Sequence, residues 1–386
     1  MKRVETVVVG GGPAGAAAAC GVAALGREVV LIERSDAAHH KVCGEFLSIE
    51  TQAHLNRLGV NAAALGAAAV DHVSVNSGRY SVTAALPFRA LSLSRFVLDD
   101  ALLQRAAERG AELKRGVSVR TAAPEGSGWI LRCDDGDMLQ CRHLVLATGK
   151  WRLRGIEDER DTSLVGLKMH LRVTSETLRA LGARVELSLF DSTYAGIELV
   201  ENGIANLALL LPRRVAAQLG PGWQSLRDHL AATAPSLAER LHGADPLWDK
   251  PLAVVCPSRG HLHAETGPEA FRIGDRLAHI PPFTGDGLAI ALGSAALAVE
   301  HIRLGRSPRA YLAAARRLTA MPIRVASVVA ALAGSRPGRA VLMRAASYAP
   351  GLIGAIARRT RLPVPLPLPV AGHTAAVRLA MREPRR

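Results

Sequence analysis

Cys43 lies in a short polar loop that carries a thiol, an amine and a carboxyl close together. The loop reads Lys41-Val42-Cys43-Gly44-Glu45. A cation beside a cysteine favours the thiolate, which is the nucleophilic form of the side chain. Two interpretations of Cys43 follow: an inert small residue of the core, or a reactive thiol whose ionisation is helped by Lys41.

A second pattern has the spacing of a phosphate-binding turn. Gly10, Gly12 and Gly15 fit Gly-x-Gly-x-x-Gly between a valine-rich run and an alanine-rich run. In this spacing the first glycine makes a tight turn, the second admits a pyrophosphate, and the third lets a helix lie close to the strand. Glu33 ends the next apolar run, 18 residues after Gly15, where its carboxylate can accept hydrogen bonds from ribose hydroxyls. The pattern favours a dinucleotide site over a βαβ unit without a ligand.

The apolar periodicity of the chain predicts the helices and strands that must position these residues. It indicates an α/β fold that also contains an antiparallel sheet. Apolar residues recur with helical spacing in four segments and alternate as in strands in five. The predicted helices are 49–58, 93–108, 308–334 and 340–359, and the predicted strands are 70–84, 165–173, 185–190, 196–200 and 206–211.

The composition is typical of a globular protein, and the chain length is sufficient for about two domains. Hydrophobic residues make up 49% of the 386 residues and charged residues 21%. No run of 18 uncharged apolar residues occurs, and the first strand begins almost at once, so we expect no signal peptide and a cytoplasmic location.

The excess positive charge is confined to the C-terminal part. Residues 301–386 hold 16 Arg and one acid, whereas the remainder holds 32 basic and 33 acidic residues. This basic region has three interpretations: a solvated helical face, a peripheral membrane surface, or a nucleic-acid site. Nucleic acid is disfavoured because aromatic residues, which stack on bases, make up only 4% of the chain.

The cysteines and histidines show no metal pattern. Five cysteines are scattered along the chain, and His261-x-His263 has no third ligand patterned nearby. We therefore expect neither a metal site nor a disulfide framework. Tyr194, in the antiparallel part, is either packed in the sheet or presented to a substrate as a hydroxyl donor.

Three separated motifs together resemble the flavoprotein superfamily of geranylgeranyl reductases, p-hydroxybenzoate hydroxylase-like aromatic-ring hydroxylases and flavin halogenases. They are the glycine motif with Glu33, the strand ending in Ala147-Thr148-Gly149, and Ile273-Gly274-Asp275. The resemblance implies an α/β fold: a Rossmann-like FAD-binding domain, an inserted antiparallel β-sheet substrate domain, and a C-terminal helical region. The implied boundaries are 1–70, 93–162 and 256–305 for the FAD-binding domain, 71–92 and 163–255 for the substrate domain, and 306–386 for the basic helical region.

The resemblance also implies roles for single residues. Arg95 would reach the FAD phosphates, Val119 would lie against the adenine, and Asp275 would accept a ribityl hydroxyl. Catalytic roles are implied for Cys43, Lys41 and Tyr194. The implied cofactor-binding residues are Gly10, Gly12, Pro13, Ala14, Gly15, Glu33, Arg34, Cys43, Gly44, Arg95, Val119, Thr148, Gly149, Gly274, Asp275, Pro282, Gly285, Gly287 and Leu288.

Within that superfamily the segment from Lys41 to Ser48 is most similar to the reductase branch. Lys150-Trp151 follows Gly149 in place of the Asp-Gly usual in aromatic hydroxylases, and the Trp-x-Trp-x-Ile-Pro motif of halogenases is absent. We therefore expect a geranylgeranyl-reductase-like, FAD-dependent oxidoreductase that uses NAD(P)H and acts on a lipophilic isoprenoid, quinone or polyketide-like molecule. The alternative is an FAD-dependent monooxygenase that hydroxylates an aromatic or polyketide-derived substrate through a flavin hydroperoxide.

Overall fold

The computed structural model describes residues 1–362 except 152, 155, 157–162, 192, 258–259 and 264–268. Two large sheets organise the chain, and helices pack on both. In chain order the strands are β1 (Lys2–Val9), β2 (Val29–Glu33), β3 (Phe46–Leu47), β4 (Ala68–Ser77), β5 (Tyr80–Ser92), β6 (Glu112–Arg115), β7 (Val119–Glu125), β8 (Gly128–Cys133), β9 (Met138–Leu146), β10 (Leu164–Arg172), β11 (Arg184–Phe190), β12 (Thr193–Leu199), β13 (Ala205–Pro212), β14 (Asp245–Pro246), β15 (Leu252–Cys256), β16 (His261–Leu262), β17 (Phe271–Arg272) and β18 (Ala278–His279).

Of the four predicted helices, 49–58 and 308–334 begin and end where the sequence predicts, and 93–108 begins two residues later, at Arg95. In chain order the helices are α1 (Pro13–Ala24), α2 (Ile49–Leu58), α3 (Arg95–Glu108), α4 (Ser175–Leu181), α5 (Arg213–Leu219), α6 (Trp223–Thr233), α7 (Pro235–Leu241), α8 (Gly287–Arg303), α9 (Pro308–Gly334), α10 (Arg336–Tyr348) and α11 (Gly351–Arg359). Short 3₁₀ turns lie at Glu201–Gly203, Gly274–Arg276 and Pro282–Thr284.

The first sheet is mixed, and its parallel part carries the glycine motif of residues 10–15. Its strands run in the order β6-β2-β1-β9-β8-β7, and β17 also pairs with β9. β1 is parallel to β2 and to β9, with Val7 opposite Val30 on one side and Leu144 on the other. All three of these side chains are buried, which explains the continuous apolar run of β1. α1 packs against α3 and α8 on this sheet.

The second sheet has the order β14-β10-β13-β12-β11-β4-β5-β3, with β15 also paired to β10. The sequence prediction of an antiparallel sheet is correct for most pairs, but β11 runs parallel to β4. The chain enters this sheet twice, so β11 approaches β4 from a separate segment and is free of the hairpin geometry that imposes antiparallel pairing. β15 was not predicted as part of this sheet.

The two faces of the second sheet differ in chemistry. Met169, Ile197 and Leu207 point to a core that is closed by α6 and α7. Because side chains alternate along a strand, their neighbours point to the opposite face, toward the first sheet. That face holds the groups described below as the candidate site.

The C-terminal helices differ from the prediction in one respect. The predicted helix 340–359 is two helices, α10 and α11, bent by 116° at Ala349 and Pro350. A proline has no N–H to donate within a helix and disfavours helical geometry at the residue before it, so the break falls there. Residues 363–386 of the predicted basic region lie outside the described residues.

α9 is long and apolar. An 18-residue window within it has a mean hydropathy of 1.3, and only 22% of that window is buried. By length and composition this helix could cross a membrane, although core helices of soluble proteins meet the same criterion.

Candidate active site

The glycine turn after β1 presents backbone atoms, and no bulky side chains, at the carboxyl end of the parallel strands. Gly10 has a φ of 106°, and a Cβ there would lie 2.5 Å from the Ala147 carbonyl oxygen. A Cβ on Gly15 would lie 1.8 Å from the Gly10 carbonyl oxygen, so only glycine lets α1 approach β1. α1 begins at Pro13 after Gly12, and no side chain caps it. Its N-terminus therefore fits a phosphate.

Glu33 closes the side of this turn. Its buried carboxylate accepts hydrogen bonds from the N–H of Gly11 at 2.5 Å and of Ser35 at 3.1 Å. The next residue, Arg34, lies with its guanidinium 3.9 Å from the ring centroid of Trp151. The carboxylate is thus fixed at the end of β2, where a ribose would meet it.

Arg95 lies on the other side of the glycine turn. Its guanidinium makes two hydrogen bonds to Asp99, at 2.6 and 2.8 Å, and a Cβ on Gly12 would be 3.7 Å from its Nη2. Burial opposes the ionisation of Asp99, but Arg95 and then Lys41 outweigh it and hold the pKa of Asp99 below its usual range. Asp99 orients Arg95 toward the position of a phosphate.

The far end of the cleft is formed by the loop before α8. Gly285 has a φ of 70°, and a Cβ there would lie 2.5 Å from Phe46. α8 begins at Gly287, and no side chain caps its N-terminus. An uncapped helix N-terminus favours negative charge, such as that of a reduced flavin ring. These observations agree with an FAD molecule that extends from the glycine turn to α8.

Cys43 lies half-buried in the loop between the two sheets. Its Sγ accepts a hydrogen bond from the N–H of Glu45 at 3.3 Å, and its carbonyl oxygen accepts one from Asn206 at 3.2 Å. The predicted helper Lys41 forms an ion pair with Asp99 at 3.1 Å. Arg95 is a further cation beside Cys43 and hydrogen-bonds to it.

A buried ionic cluster around Glu45 was not predicted from the sequence. The fully buried Glu45 has a φ of 59°, pairs with Lys168, and lies 2.8 Å from Nε2 of His170. It also accepts a hydrogen bond from the N–H of Arg95 at 2.7 Å. Burial raises the pKa of Glu45, but His170 and Lys168 outweigh it and leave the pKa below its usual range. The cluster ties the Cys43 loop to β10.

His40 completes this cluster on the side of the cleft. Burial and then Lys168 lower its pKa to about 4. Ring nitrogens of His40 and His170 and an oxygen of Glu45 lie within 4.8 Å of one another, close enough for a metal ion. However, the Lys168 ammonium already supplies a positive charge to the Glu45 carboxylate. We assign the cluster to structure and not to metal binding.

A single cavity of about 870 Å³ connects these groups. Every predicted site residue lines it except Gly15, which packs behind the glycine turn. On the second sheet the cavity wall includes the small residues Gly166, Gly196 and Ala208 among larger ones such as Leu187 and Leu210. Tyr194 is also in this wall, edge-on to Phe283 with ring centroids 6.1 Å apart, and burial raises its pKa.

Glu198 is a further wall residue that sequence reasoning missed. It is two residues beyond Gly196 on the same face of β12 and accepts a hydrogen bond from Asn206 at 2.9 Å. Burial and then the charge of Glu45 raise its pKa to about 8, against the opposing effects of Asn206 and Lys168. A charged residue type on an inward-facing strand position is the signal that could have found it.

Lys150 and Cys256 form another pair in the cavity wall. The Lys150 ammonium lies 3.1 Å from the Cys256 Sγ. Burial lowers the pKa of Lys150, but Asp275 and the cysteine outweigh it and raise the pKa above its ordinary value. The predicted FAD ligand Asp275 therefore has a cation beside it.

Comparison with known proteins agrees with this geometry. Residues 3–153 match the family model described as "FAD binding domain". A menaquinone reductase of Mycolicibacterium smegmatis is 27% identical over 325 residues, which cover 78% of this chain and 77% of that protein. The fold is similar to that of the flavin-dependent brominase Bmp2, with a TM-score of 0.78, 17% identity and 93% of each chain covered.

A second solved structure has the same fold. It is pqsL, a probable FAD-dependent monooxygenase from Pseudomonas aeruginosa, with a TM-score of 0.70 and 16% identity. The match covers 89% of this chain and all of that one. The match of residues 3–153 to an FAD binding domain and the geometry of the cleft agree with an FAD-dependent oxidoreductase.

Proposed function

We propose that the protein is an FAD-dependent reductase of a lipophilic molecule with an isoprenoid, quinone or polyketide-like carbon skeleton. It resembles geranylgeranyl reductases in the Cys43 loop, and its similarity to a menaquinone reductase supports a prenylated quinone as the first candidate. NAD(P)H is the proposed electron donor.

The shape and lining of the cavity carry this proposal. From the flavin end at Gly285, the cavity continues between the second sheet and the C-terminal helices. There it is lined by Val75, Leu187, Met343 and Ile353. An elongated apolar space that opens onto a cofactor fits a long hydrocarbon chain whose reactive bond lies at the flavin.

The residues have separate tasks in this reaction. FAD, once bound and reduced by NAD(P)H, would supply the hydride that reduces a carbon–carbon double bond. The second carbon needs a proton. Cys43 is the proposed donor because its half-buried thiol lines the cavity and is held in place by the hydrogen bond that its Sγ accepts from the Glu45 N–H. Gly166, Gly196 and Ala208 leave room for the substrate, and the Glu45 cluster fixes the loop that carries the thiol.

The test is an incubation of the FAD-loaded protein with NADPH and a menaquinone, run anaerobically and again in air, followed by mass spectrometry. We expect a product that has gained two hydrogen atoms. Cys43→Ala should lower the turnover number while leaving the flavin absorbance unchanged, and the buried Cys133→Ala is the matched control. A product that gains one oxygen atom, and forms only in air, would refute the reductase.

A product that gains one oxygen atom is what the second candidate function predicts. This candidate is a monooxygenase acting on an aromatic or polyketide-derived substrate. The fold shared with the probable monooxygenase from Pseudomonas aeruginosa and the wide, small-residue wall over the flavin end favour it. Incorporation of labelled oxygen from O₂ into the product separates the two candidates.

A further inference from the structure

The outer surface of α9 and α10 carries exposed apolar side chains on one side of each helix. Met321, Val328 and Leu332 are exposed on α9 at spacings of seven and four residues, which places them on one face. Val341 and Tyr348 are exposed on α10, seven residues apart and 68% and 80% accessible. Large exposed apolar groups in a row mark an interaction surface. We call these five residues the outer apolar face.

The charge around this face has one sign. Residues 308–362 contain ten Arg and no Lys, Asp or Glu. Arg324 lies between Met321 and Val328, and Arg344 lies between Val341 and Tyr348, so exposed cations alternate with the apolar groups. Two other arginines already have an acidic partner: the exposed Arg336 and the more buried Arg339 both pair with Asp191. The exposed cations are therefore available to an anionic surface.

The inner sides of the same helices form part of the cavity. Val329 and Ala333 of α9, Met343 and Ala346 of α10, and Ile356 of α11 line it. α9 and α10 are thus apolar toward the cavity and apolar toward the outside. A hydrophobic molecule that passes between these helices would meet apolar groups along its whole path.

We propose that the outer apolar face docks on an anionic lipid bilayer, and that the substrate passes between α9, α10 and α11 from the bilayer into the cavity. The passage of the substrate rests on the proposed function, since it needs a lipophilic substrate. The alternation of apolar and cationic groups is that of helices that lie in the plane of the interface. Each Arg near an anionic surface strengthens binding by electrostatic attraction, which salt weakens.

α9 lies on the protein and does not cross the bilayer in this arrangement. Its buried side chains Tyr311, Ala315, Ile323 and Ala326 belong to the core of the FAD-binding half. The Tyr311 hydroxyl donates a hydrogen bond to the Arg272 carbonyl oxygen at 2.8 Å. A spanning helix would lose these contacts.

The test is co-sedimentation of the FAD-loaded protein with vesicles of phosphatidylcholine alone or mixed with phosphatidylserine. We expect binding to the mixed vesicles that weakens with salt. Arg324→Glu/Arg344→Glu should weaken it at least tenfold, and so should Val341→Asp/Tyr348→Asp. Arg132→Glu/Arg142→Glu changes the charge equally on exposed residues of the first sheet and should leave binding unchanged.

Three results would overturn the docking proposal: no sedimentation with either vesicle, equal loss in the first-sheet control, or a dimer in solution that the Val341→Asp/Tyr348→Asp variant dissociates. The dimer would assign the face to a second copy of the chain. Reduction of the side-chain double bond of a short-chain prenylated quinone, which needs no vesicle, is measured in parallel. If that activity is absent while vesicle binding responds as expected, the proposed function fails and the docking surface stands.

Discussion

Glu198→Gln tests whether a carboxyl in the cavity wall is held neutral. Glu198 is only 3% exposed and lies on the same face of β12 as Gly196. The charges that face it are Glu45, which favours its neutral form, and Lys168, which favours its ionised form. Glutamine has the same shape and keeps an oxygen for the hydrogen bond from Asn206, so the substitution removes little except the ability to ionise.

The magnitude follows from the pKa. Burial raises the pKa of Glu198 from 4.5 to about 8, and that change corresponds to about 5 kcal/mol. The folded state holds the proton over this interval while the unfolded state has lost it. The free energy of unfolding therefore decreases as pH rises from 4.5 through 8. Between pH 5 and pH 9 the decrease from this group is about 4 kcal/mol.

The assay is urea denaturation of the wild type and Glu198→Gln at intervals from pH 5 to pH 9. We expect the free energy of unfolding of the variant, relative to that of the wild type, to increase steadily with pH. At pH 9 the variant should be the more stable protein. Glu176→Gln, an exposed carboxyl on α4, is the control and should show a constant difference. A constant difference for Glu198→Gln as well would show that this carboxyl ionises like an exposed one, and the reasoning from burial would be wrong.

Three further predictions concern the cofactor turn, the ionic cluster and the cavity wall. Gly15→Ala places a Cβ 1.8 Å from a backbone oxygen, so the purified protein should lack flavin absorbance, whereas Gly351→Ala, where a Cβ meets nothing within 4 Å, should retain it. Lys168→Met leaves the buried Glu45 without its ammonium partner and should lower the free energy of unfolding by about 3–5 kcal/mol, measured in urea at pH 7. An unchanged midpoint would contradict the ionic pairing. Gly196→Val fills the cavity wall and should raise the KM for a quinone with flavin content unchanged; a KM equal to that of the wild type would place the substrate elsewhere.

Elements with local signals could be predicted closely. α2 spans Ile49–Leu58 as predicted because Ser48 caps its start, accepting the Thr51 N–H, and Gly59 ends it in the left-handed conformation. α9 likewise follows from the capping residue Ser307. The break between α10 and α11 was missed because helical spacing continues across Pro350, and the proline was not weighed against it.

The residues of the candidate site also fall into those with a local sequence signal and those without one. The glycine turn and Glu33 could be predicted because one short segment carries both the backbone conformation and the ligand chemistry. The pairing of Glu45 with Lys168 joins residues 123 positions apart, and neither local spacing nor composition reports such contacts. The ion pair of Lys41 with Asp99 also joins distant segments, whereas the local sequence favours Cys43 as the partner of Lys41.

The interleaving of the two sheets has a consequence for biosynthesis. β4 leaves the ribosome long before its partner β11 in the second sheet, and β9 is made long before its partner β17 in the first. The second sheet therefore cannot be completed until synthesis has passed Cys256, nor the first until it has passed Arg272, and α8, which packs on α1, comes later still. Unpaired strand edges stay exposed through most of translation and attract aggregation. We expect fragments cut at the domain boundaries to be insoluble, so that the chain folds late and as one unit.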